Sequence, residues 1–322
     1  VGMAEWCLIE SDPGVFTEMV RGFGVQGLQV EELYTLDEDE FTNLRPVHGL
    51  IFLFKYVDNV ETVGTLDHSA NHVFFAKQTT QNACATQAIV NLIMNLQEDK
   101  DGFKLGPTLS NLKSFTEELD PQMRGECIAA EDAIRTMHNS FSRQQLFELD
   151  IKAREKEDNF HFVAYVPVKG KVYELDGLRA APLEVGTVDD STDWLSVVRP
   201  AIQQRIANFG ESEIHFNLMA VVANKKEKYL RRLDEISSAG METEEAAAEI
   251  CELQTLIEEE DTKTKRQKIE NARRRHNYLP LIVEMLRVLA SEGRLVPLVE
   301  EAQEKAKKAA AAKKAAKASA KV

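Results

Sequence analysis

The chain has 322 residues and a mass of 36.2 kDa, twice the length of a ~150-residue domain, which predicts two domains. Apolar residues make up 43% and charged residues 29%, so a sizeable core is expected and global disorder is excluded. The formal net charge is −14, and because residues 303–322 carry +6, the remainder carries −20. Such an acidic body repels nucleic acid phosphates and suits a basic protein partner. No apolar run approaches the ~20 residues of a membrane span.

Four cysteines, at positions 7, 84, 127 and 251, form no CxxC motif, so neither a zinc finger nor a redox pair is predicted. A disulfide framework is not expected at this length, and the N-terminus lacks a basic region followed by an apolar stretch. We therefore expect an intracellular protein. The predicted location is cytoplasmic and nuclear.

No cofactor or metal site is predicted. Residues 22–27 match GxGxxG, but the preceding segment 15–21 has a helical pattern, whereas a dinucleotide fingerprint needs a strand before the glycines and a helix after them. We interpret the glycines as a turn. His68 and His72 could share a helical face, but no third ligand stands at a spacing that matches a zinc site.

Up to residue 224 the chain mixes helical and strand patterns. The helical patterns cover residues 15–21, 84–96 and 129–141. The strand-like runs cover residues 49–56, 160–166, 172–175 and 215–223. Lys169 and Gly170 are predicted to form a two-residue hairpin turn. The charged stretch 142–158 has no clear period and is predicted to be a long loop.

After residue 224 the composition changes. Residues 225–302 contain two glycines, many charges and apolar residues at helical spacing. This pattern predicts an all-helical extension with narrow apolar stripes that need a partner surface. We therefore predict a mixed α/β domain over 3–224, a helical extension over 225–302 and a Lys/Ala-rich tail over 303–322.

Cys84 is the best candidate nucleophile. It opens the predicted helix 84–96, where the positive end of the helix macrodipole favours the thiolate, the nucleophilic form of cysteine. Cys7, Cys127 and Cys251 lack such a setting. Taken alone, Cys84 could equally be a small buried helix residue.

The predicted hairpin places a histidine near a carboxylate. His161 alone in an apolar strand would be explained as a core residue. With the turn at 169–170, however, Val163 lies opposite Asp176, and His161 shares the face of Val163 because side chains repeat every two residues. A carboxylate beside an imidazole fixes its tautomer and stabilises the imidazolium formed when it takes a thiol proton. Asn159, on the same face, is the alternative third member.

Gln78, six residues before Cys84, offers a side-chain amide that could donate to an oxyanion, and the Cys84 backbone N–H would be the second donor. The alternative for Gln78 is an ordinary polar loop residue. Cys, His and Asp in this chain order, with a Gln upstream, predict a cysteine enzyme of acyl transfer.

These residues resemble the ubiquitin C-terminal hydrolase family of deubiquitinating enzymes. The resemblance lies in QTTQNACATQAIVNL around Cys84, NFHFVAYVPV around His161, YELDGL around Asp176 and WCLIESDPGVFTEMV near the N-terminus. The extension, with RHNYLPLIVEML and a Lys-rich end, resembles the proteasome-associated, C-terminally extended branch of the family.

The resemblance implies an α/β papain-like fold, with a central antiparallel sheet flanked by helices and followed by the helical extension. By position, Cys84 would be the nucleophile and His161 the general base. Asp176 would orient the base, and Gln78 would be the oxyanion donor. Residues 142–158 would form a crossover loop that limits the size of the leaving group.

The implied reaction is hydrolysis of peptide or isopeptide bonds at the C-terminus of ubiquitin through an acyl-enzyme on Cys84. The residues implied to contact ubiquitin are Glu10, Ser11, Asp12 and Phe16. The extension would dock on the helical adaptor domain of a proteasomal ubiquitin receptor, which activates such enzymes, and on a chromatin-remodelling subunit, which inhibits them.

Two alternatives remain at this point. An acyltransferase with a Cys-His-Asp triad, such as an arylamine N-acetyltransferase, has the same chemistry but no need for the 225–302 helices, and it would require acetyl-CoA. A non-catalytic scaffold would keep the triad but act through the extension, with tight partner binding and no thiol reactivity.

Overall fold

The computed structural model of the chain describes residues 6–56, 62–98, 102–142, 160–189, 192–208, 216–238 and 243–319. Contacts divide these residues into two compact units, of which the first extends to Arg275 and the second begins at His276. None of the helices in the described ranges combines the length and the apolar character that crossing a membrane requires.

An antiparallel sheet forms the centre of the first unit, as predicted. In the described part of the chain it has seven strands, in the order β1-β7-β2-β4-β5-β6-β3. The strands are β1 (Leu28–Leu33), β2 (Val47–Lys55), β3 (Thr65–Leu66), β4 (Phe160–Val168), β5 (Lys171–Leu175), β6 (Leu183–Thr187) and β7 (Asn217–Ala223). The strand-like runs of the sequence correspond to β2, β4, β5 and β7.

Helices flank this sheet. Those of the first unit are α1 (Pro13–Gly22), α2 (Glu38–Leu44), α3 (Cys84–Ile93), α4 (Gly106–Thr116), α5 (Pro121–Ala130), α6 (Asp132–Asn139), α7 (Trp194–Ala207), α8 (Lys225–Ser238) and α9 (Glu244–Arg275). Those of the second unit are α10 (Leu279–Ser291) and α11 (Leu295–Ser319), which contact each other. Gly22 ends α1, and Gly24 and Gly27 lie between α1 and β1, the reverse of a dinucleotide fingerprint, so the interpretation as a turn is confirmed.

The predicted hairpin is confirmed in type and register. Lys169 and Gly170 have φ values of 47° and 76°, so both adopt the left-handed conformation that a tight two-residue hairpin turn requires. Ala164 pairs with Leu175, as expected from a turn at 169–170. This register brings the start of β4 and the end of β5 to the same end of the sheet.

The sheet separates two apolar layers. Alternate residues of a strand face opposite sides, so Phe162 and Ala164 pack with α1 and α3, whereas Val163 and Tyr165 pack with α7. Both layers are fully buried, which holds α3 firmly against one face of β4.

The predicted helical extension begins as a helix pair that belongs to the first unit. Ile236 of α8 packs with Ala246 and Leu253 of α9, and α9 also contacts α1. The compact unit therefore continues beyond residue 224 to Arg275. The predicted division of the chain into functional segments at residues 224 and 302 stays a prediction.

The single helix predicted over 129–141 is divided between two helices in the structure. The helical pattern over 129–141 is interrupted at Glu131, whose backbone is extended (φ −70°, ψ 109°) and whose carboxylate accepts from the Ala133 N–H at the start of α6. Ala130 therefore ends α5, and the periodic residues after it belong to α6. The predicted loop 142–158 lies, apart from Ser142, outside the described residues.

Candidate active site

Cys84 is the first residue of α3, as predicted. The residue before it, Ala83, occupies the N-cap position and has no side-chain oxygen to bond the first-turn N–H groups. Asn82 has a φ of 63°, which asparagine tolerates better than most residues, and its Nδ2 donates to the Trp6 carbonyl at 3.0 Å. The turn thus places the half-buried thiol of Cys84 at the start of α3. Because no side chain caps this helix, its first backbone N–H groups remain available to an oxyanion.

His161 and Asp176 meet as the hairpin register predicted. Nε2 of His161 and Oδ1 of Asp176 are 2.7 Å apart, and each residue is only 4% exposed. Interaction with Cys84, by hydrogen bonding and by charge, is among the causes that raise the pKa of the imidazole. Because Nε2 is engaged by Asp176, Nδ1 is the ring nitrogen left for the thiol.

The environment favours a charged imidazole beside a charged carboxylate. Burial lowers the pKa of His161, but hydrogen bonds and charge interactions with Asp176 and Cys84 more than offset this and raise the pKa to about 9. Burial raises the pKa of Asp176, but the hydrogen bond and the charge of His161, the Leu178 N–H and the Arg179 guanidinium bring it below its ordinary value.

Two aromatic rings that the sequence analysis missed surround the imidazole. Phe54 and Tyr56 present their rings edge-on to His161, with centroids 5.9 Å and 5.7 Å away. Phe54 pairs directly with His161 in the β2–β4 ladder. The rings restrict the imidazole to the plane in which it meets Asp176 and the thiol.

A buried ionic network behind Asp176 was also missed. Glu174 Oε2 accepts from the Tyr165 hydroxyl at 2.8 Å and pairs with Arg205 Nη1 at 2.7 Å. Arg179 Nε lies 3.4 Å from Asp176 Oδ2 and 3.6 Å from Glu174 Oε1. The guanidinium of Arg179 therefore links the carboxylate of the site to the pair that anchors α7.

Gln78 is held beside the loop that carries Asp176. Its backbone N–H donates to the Gly177 carbonyl at 2.8 Å, and its side-chain Nε2 donates to the Thr80 carbonyl at 3.0 Å. Only an N–H donor can face that carbonyl, so the bond fixes which way the amide points. Nε2 carries a second hydrogen, and Oε1 is buried without a hydrogen-bond partner among the described residues.

Three of the residues implied to contact ubiquitin, Glu10, Ser11 and Asp12, make polar contacts within the chain. Arg274 of α9 pairs with Glu10 at 2.9 Å and with Asp12 at 2.6 Å, and Ser11 Oγ donates to Asn217 Oδ1 at 2.9 Å. Asp12 also caps α1 through the Gly14 and Val15 N–H groups.

The ubiquitin contact that the resemblance implies for Phe16 is wrong. Its ring is 0% exposed and lies 5.4 Å from that of Phe162 in the core, so its side chain cannot touch a partner. The cause is the orientation of α1, which turns this face towards the sheet. Asn159, the alternative third member, lies outside the described residues.

No metal site was predicted at His68 and His72. In the described ranges, no group of three or more His, Cys, Asp or Glu side chains could hold a metal ion. His72 instead presents its ring edge-on to Tyr173, with centroids 6.0 Å apart.

Two family models match the chain. One, described as ubiquitin carboxyl-terminal hydrolase, family 1, covers residues 6–207, and the other, described as ubiquitin carboxyl-terminal hydrolases, covers residues 250–295. The first spans more than half of the chain and includes Gln78, Cys84, His161 and Asp176.

Similar proteins carry the same family name. The chain is 54% identical to ubiquitin carboxyl-terminal hydrolase ubh-4 of Caenorhabditis elegans, over 94% of this chain and 92% of that protein. It is 40% identical to ubiquitin carboxyl-terminal hydrolase isozyme L5 of Dictyostelium discoideum, over 93% of this chain and 95% of that protein.

A solved structure agrees with these relatives. The fold matches Trichinella spiralis UCH37 bound to ubiquitin vinyl methyl ester with a TM-score of 0.69 and 46% identity, over 82% of this chain and all of that one. The matches favour the hydrolase over the acyltransferase alternative. The chain therefore belongs to family 1 of the ubiquitin carboxyl-terminal hydrolases, and it is a cysteine-type deubiquitinase.

Proposed function

We propose that the chain hydrolyses bonds at the C-terminus of ubiquitin through an acyl-enzyme on Cys84. One observation carries this proposal: the buried imidazole of His161 bonds Asp176 at 2.7 Å, and interaction with both Asp176 and Cys84 raises its pKa. A nucleophile, a base and an orienting carboxylate in one chain of hydrogen bonds are the parts that thiol acyl transfer needs.

The reaction follows from these positions. His161 holds the proton of Cys84, and the thiolate attacks the carbonyl carbon at the C-terminus of ubiquitin. Gln78 Nε2 and the Cys84 N–H donate to the carbonyl oxygen as it becomes an oxyanion. When the carbon–nitrogen bond breaks, His161 gives its proton to the leaving amine. It then takes a proton from water, which hydrolyses the thioester, and returns that proton to the sulfur.

We further propose that the second unit docks on a helical adaptor domain of a proteasomal ubiquitin receptor, with a chromatin-remodelling subunit as a second partner. Support comes from the apolar side chains that α10 and α11 expose, since a helix with such a face is typical of a partner-binding element. They include Leu281, Ile282, Val283, Met285, Leu286 and Val288 of α10, and Val296, Leu298 and Val299 of α11. The cytoplasmic and nuclear location stays a prediction.

A ubiquitin with a C-terminal electrophile tests the reaction. Intact mass spectrometry should find one adduct, mapped to Cys84 and absent from Cys84→Ala, while the variant still binds ubiquitin. Cys251 is a free, exposed thiol in the same chain, so an adduct there would reveal unspecific alkylation.

Other outcomes would overturn the proposal. A folded chain that binds ubiquitin without forming an adduct, also in the presence of the adaptor domain, would favour the scaffold. Turnover that requires acetyl-CoA would favour the acyltransferase.

A further inference from the structure

Three amide side chains follow one another at four-residue intervals: Gln87 and Asn91 on one face of α3, and Asn95 in the turn that directly follows the helix. The Phe74 N–H donates to Asn95 Oδ1 and its carbonyl accepts from Asn95 Nδ2, both at 2.8 Å. The Ala76 N–H donates to Asn91 Oδ1 at 2.8 Å. The Ala76 carbonyl accepts from Asn91 Nδ2 at 3.0 Å and from Gln87 Nε2 at 2.7 Å. The amides of α3 and of the turn after it thus bind backbone N–H and carbonyl groups of the segment 74–76, as a neighbouring strand would.

Two of these amides are buried, so the protein is destabilised if they lose their hydrogen-bond partners. Gln87 and Asn91 are buried, whereas Asn95 is half-buried. A buried amide without a partner is strongly destabilising, so both side chains are held to the Ala76 backbone.

The bound segment leads directly to Gln78. The next N–H, of Lys77, donates to the Pro121 carbonyl of α5, and the Gln78 N–H donates to the Gly177 carbonyl, each at 2.8 Å. Close packing supports this path, because a Cβ at Gly125 of α5 would overlap the Lys77 carbonyl oxygen. The backbone of 76–78 is therefore fixed in turn by α3, α5 and the loop after β5.

Gly177 joins the two ends of this scaffold. A Cβ at this position would lie 3.0 Å from Gln78 Cβ and 3.1 Å from Gln87 Cγ. Gly177 directly follows Asp176, and Gln87 lies one helical turn after Cys84. The segments that carry Cys84, Asp176 and Gln78 thus pack against one another at Gly177.

We propose that Gln87 and Asn91 are positioning residues for the oxyanion donor. They hold the backbone of 76–78 at a fixed distance from the helix of Cys84, so that Gln78 Nε2 meets the oxyanion. The inference rests on the proposed function, because it assumes that Gln78 donates to the oxyanion. An error of about 1 Å in such a contact lowers the rate on the order of 10²-fold.

The test combines Gln87→Met with Gln78→Ala. Gln87→Met has a similar length but cannot donate to Ala76, and we expect it to lower kcat on a ubiquitin C-terminal amide roughly 10- to 100-fold with little change in KM. In the Gln78→Ala background it should cause no further loss, because residues that act through one group are not additive. Alkylation of Cys84 by iodoacetamide forms no oxyanion and should keep its rate.

Asn95→Leu is the matched control. It removes three hydrogen bonds of a similar amide just after the end of α3, yet these reach Phe74 and Asn91 rather than Ala76. We expect its melting temperature to fall at least as much as that of Gln87→Met, but its kcat to fall less than about threefold.

Two results would overturn the inference. One is that Gln87→Met lowers kcat by the same factor in the parent chain and in the Gln78→Ala background. The other is that Gln87→Met alone lowers kcat by less than about threefold. If Gln87→Met does not fold, Asn91→Ser gives the same test with a smaller polar side chain. Failure of the proposed function would look different, since the unmodified chain would then show neither turnover nor an adduct.

Discussion

The catalytic region of the first unit and the two helices of the second unit are built in opposite ways. Around Cys84, buried polar side chains are tied to one another and to backbone groups, down to the ion pairs behind Asp176. In α10, by contrast, no residue is buried, and large apolar side chains such as Met285 face solvent.

The difference separates two tasks. Fixed donors and acceptors suit chemistry, because a preorganised site needs no rearrangement as charge develops. Exposed apolar surface suits association, because its burial is the main driving force of binding. Variants in the first unit should therefore change rate and pH dependence, whereas variants in the second should change affinity for a partner.

The largest effect is expected from Asp176→Asn. Loss of the carboxylate removes the charge that raises the pKa of His161, so the imidazolium is less stable and kcat should fall roughly 10³- to 10⁴-fold. Steady-state hydrolysis of a ubiquitin amide measures this. A loss below about tenfold would mean that Asn159 or another group orients the base.

Gln78→Ala should lower kcat on the order of 10²- to 10³-fold if its amide donates to the oxyanion. Gln81→Ala, an exposed amide in the same loop, is the matched control and should have little effect. If the two variants behave alike, Gln78 is an ordinary loop residue.

A pH effect on stability is expected from His138, which is 0% exposed. Its Nε2 lies 2.8 Å from the Cys7 carbonyl and its Nδ1 lies 2.8 Å from Thr86 Oγ1, and burial lowers its pKa to about 4. Because the unfolded chain takes up a proton near pH 6.5 and the folded chain does not, about 3 kcal/mol of stability should be lost as pH falls from 6.5 to 4.

Urea unfolding at several pH values measures this loss. His138→Gln should be less pH-dependent over that range, whereas His68→Gln, at an exposed position, should behave as the parent chain does. An unchanged pH dependence in His138→Gln would show that another group titrates.

The smallest effect concerns the second unit. Replacing Ile282 and Leu286 of α10 by Asp should weaken binding to the helical adaptor domain by about 30-fold or more, because apolar anchors dominate such interfaces. Arg287→Ala, on the same helix, should change the affinity little, since exposed ion pairs contribute weakly. Titration calorimetry distinguishes these outcomes, and equal affinities would place the docking surface elsewhere.

Sequence predicted what depends on neighbours along the chain. The turn at Lys169 and Gly170 fixed the register, and the register brought His161 to Asp176. The pairing of strands that are distant in the chain could not be predicted from the sequence. Phe54 contacts His161 only because β2 lies beside β4, which is over 100 residues away in the chain.

Burial at two places was not predicted. Phe16, which the resemblance implies to contact ubiquitin, faces the core. Gln87 and Asn91 of α3 are buried against the segment 74–76, whose backbone satisfies their hydrogen bonds, and this contact depends on chain outside the helix.

The ion pairs of Arg274 with Glu10 and Asp12 join groups that lie 264 and 262 positions apart. A ribosome that adds ~5–20 residues per second needs roughly 13–50 s to make the chain between them. During that time the start of the chain has no access to this anchor, and every strand of the sheet, the last of which ends at Ala223, is made before Arg274. We therefore expect the segment around Glu10 to reach its final arrangement among the last during biosynthesis, once α9 has been made.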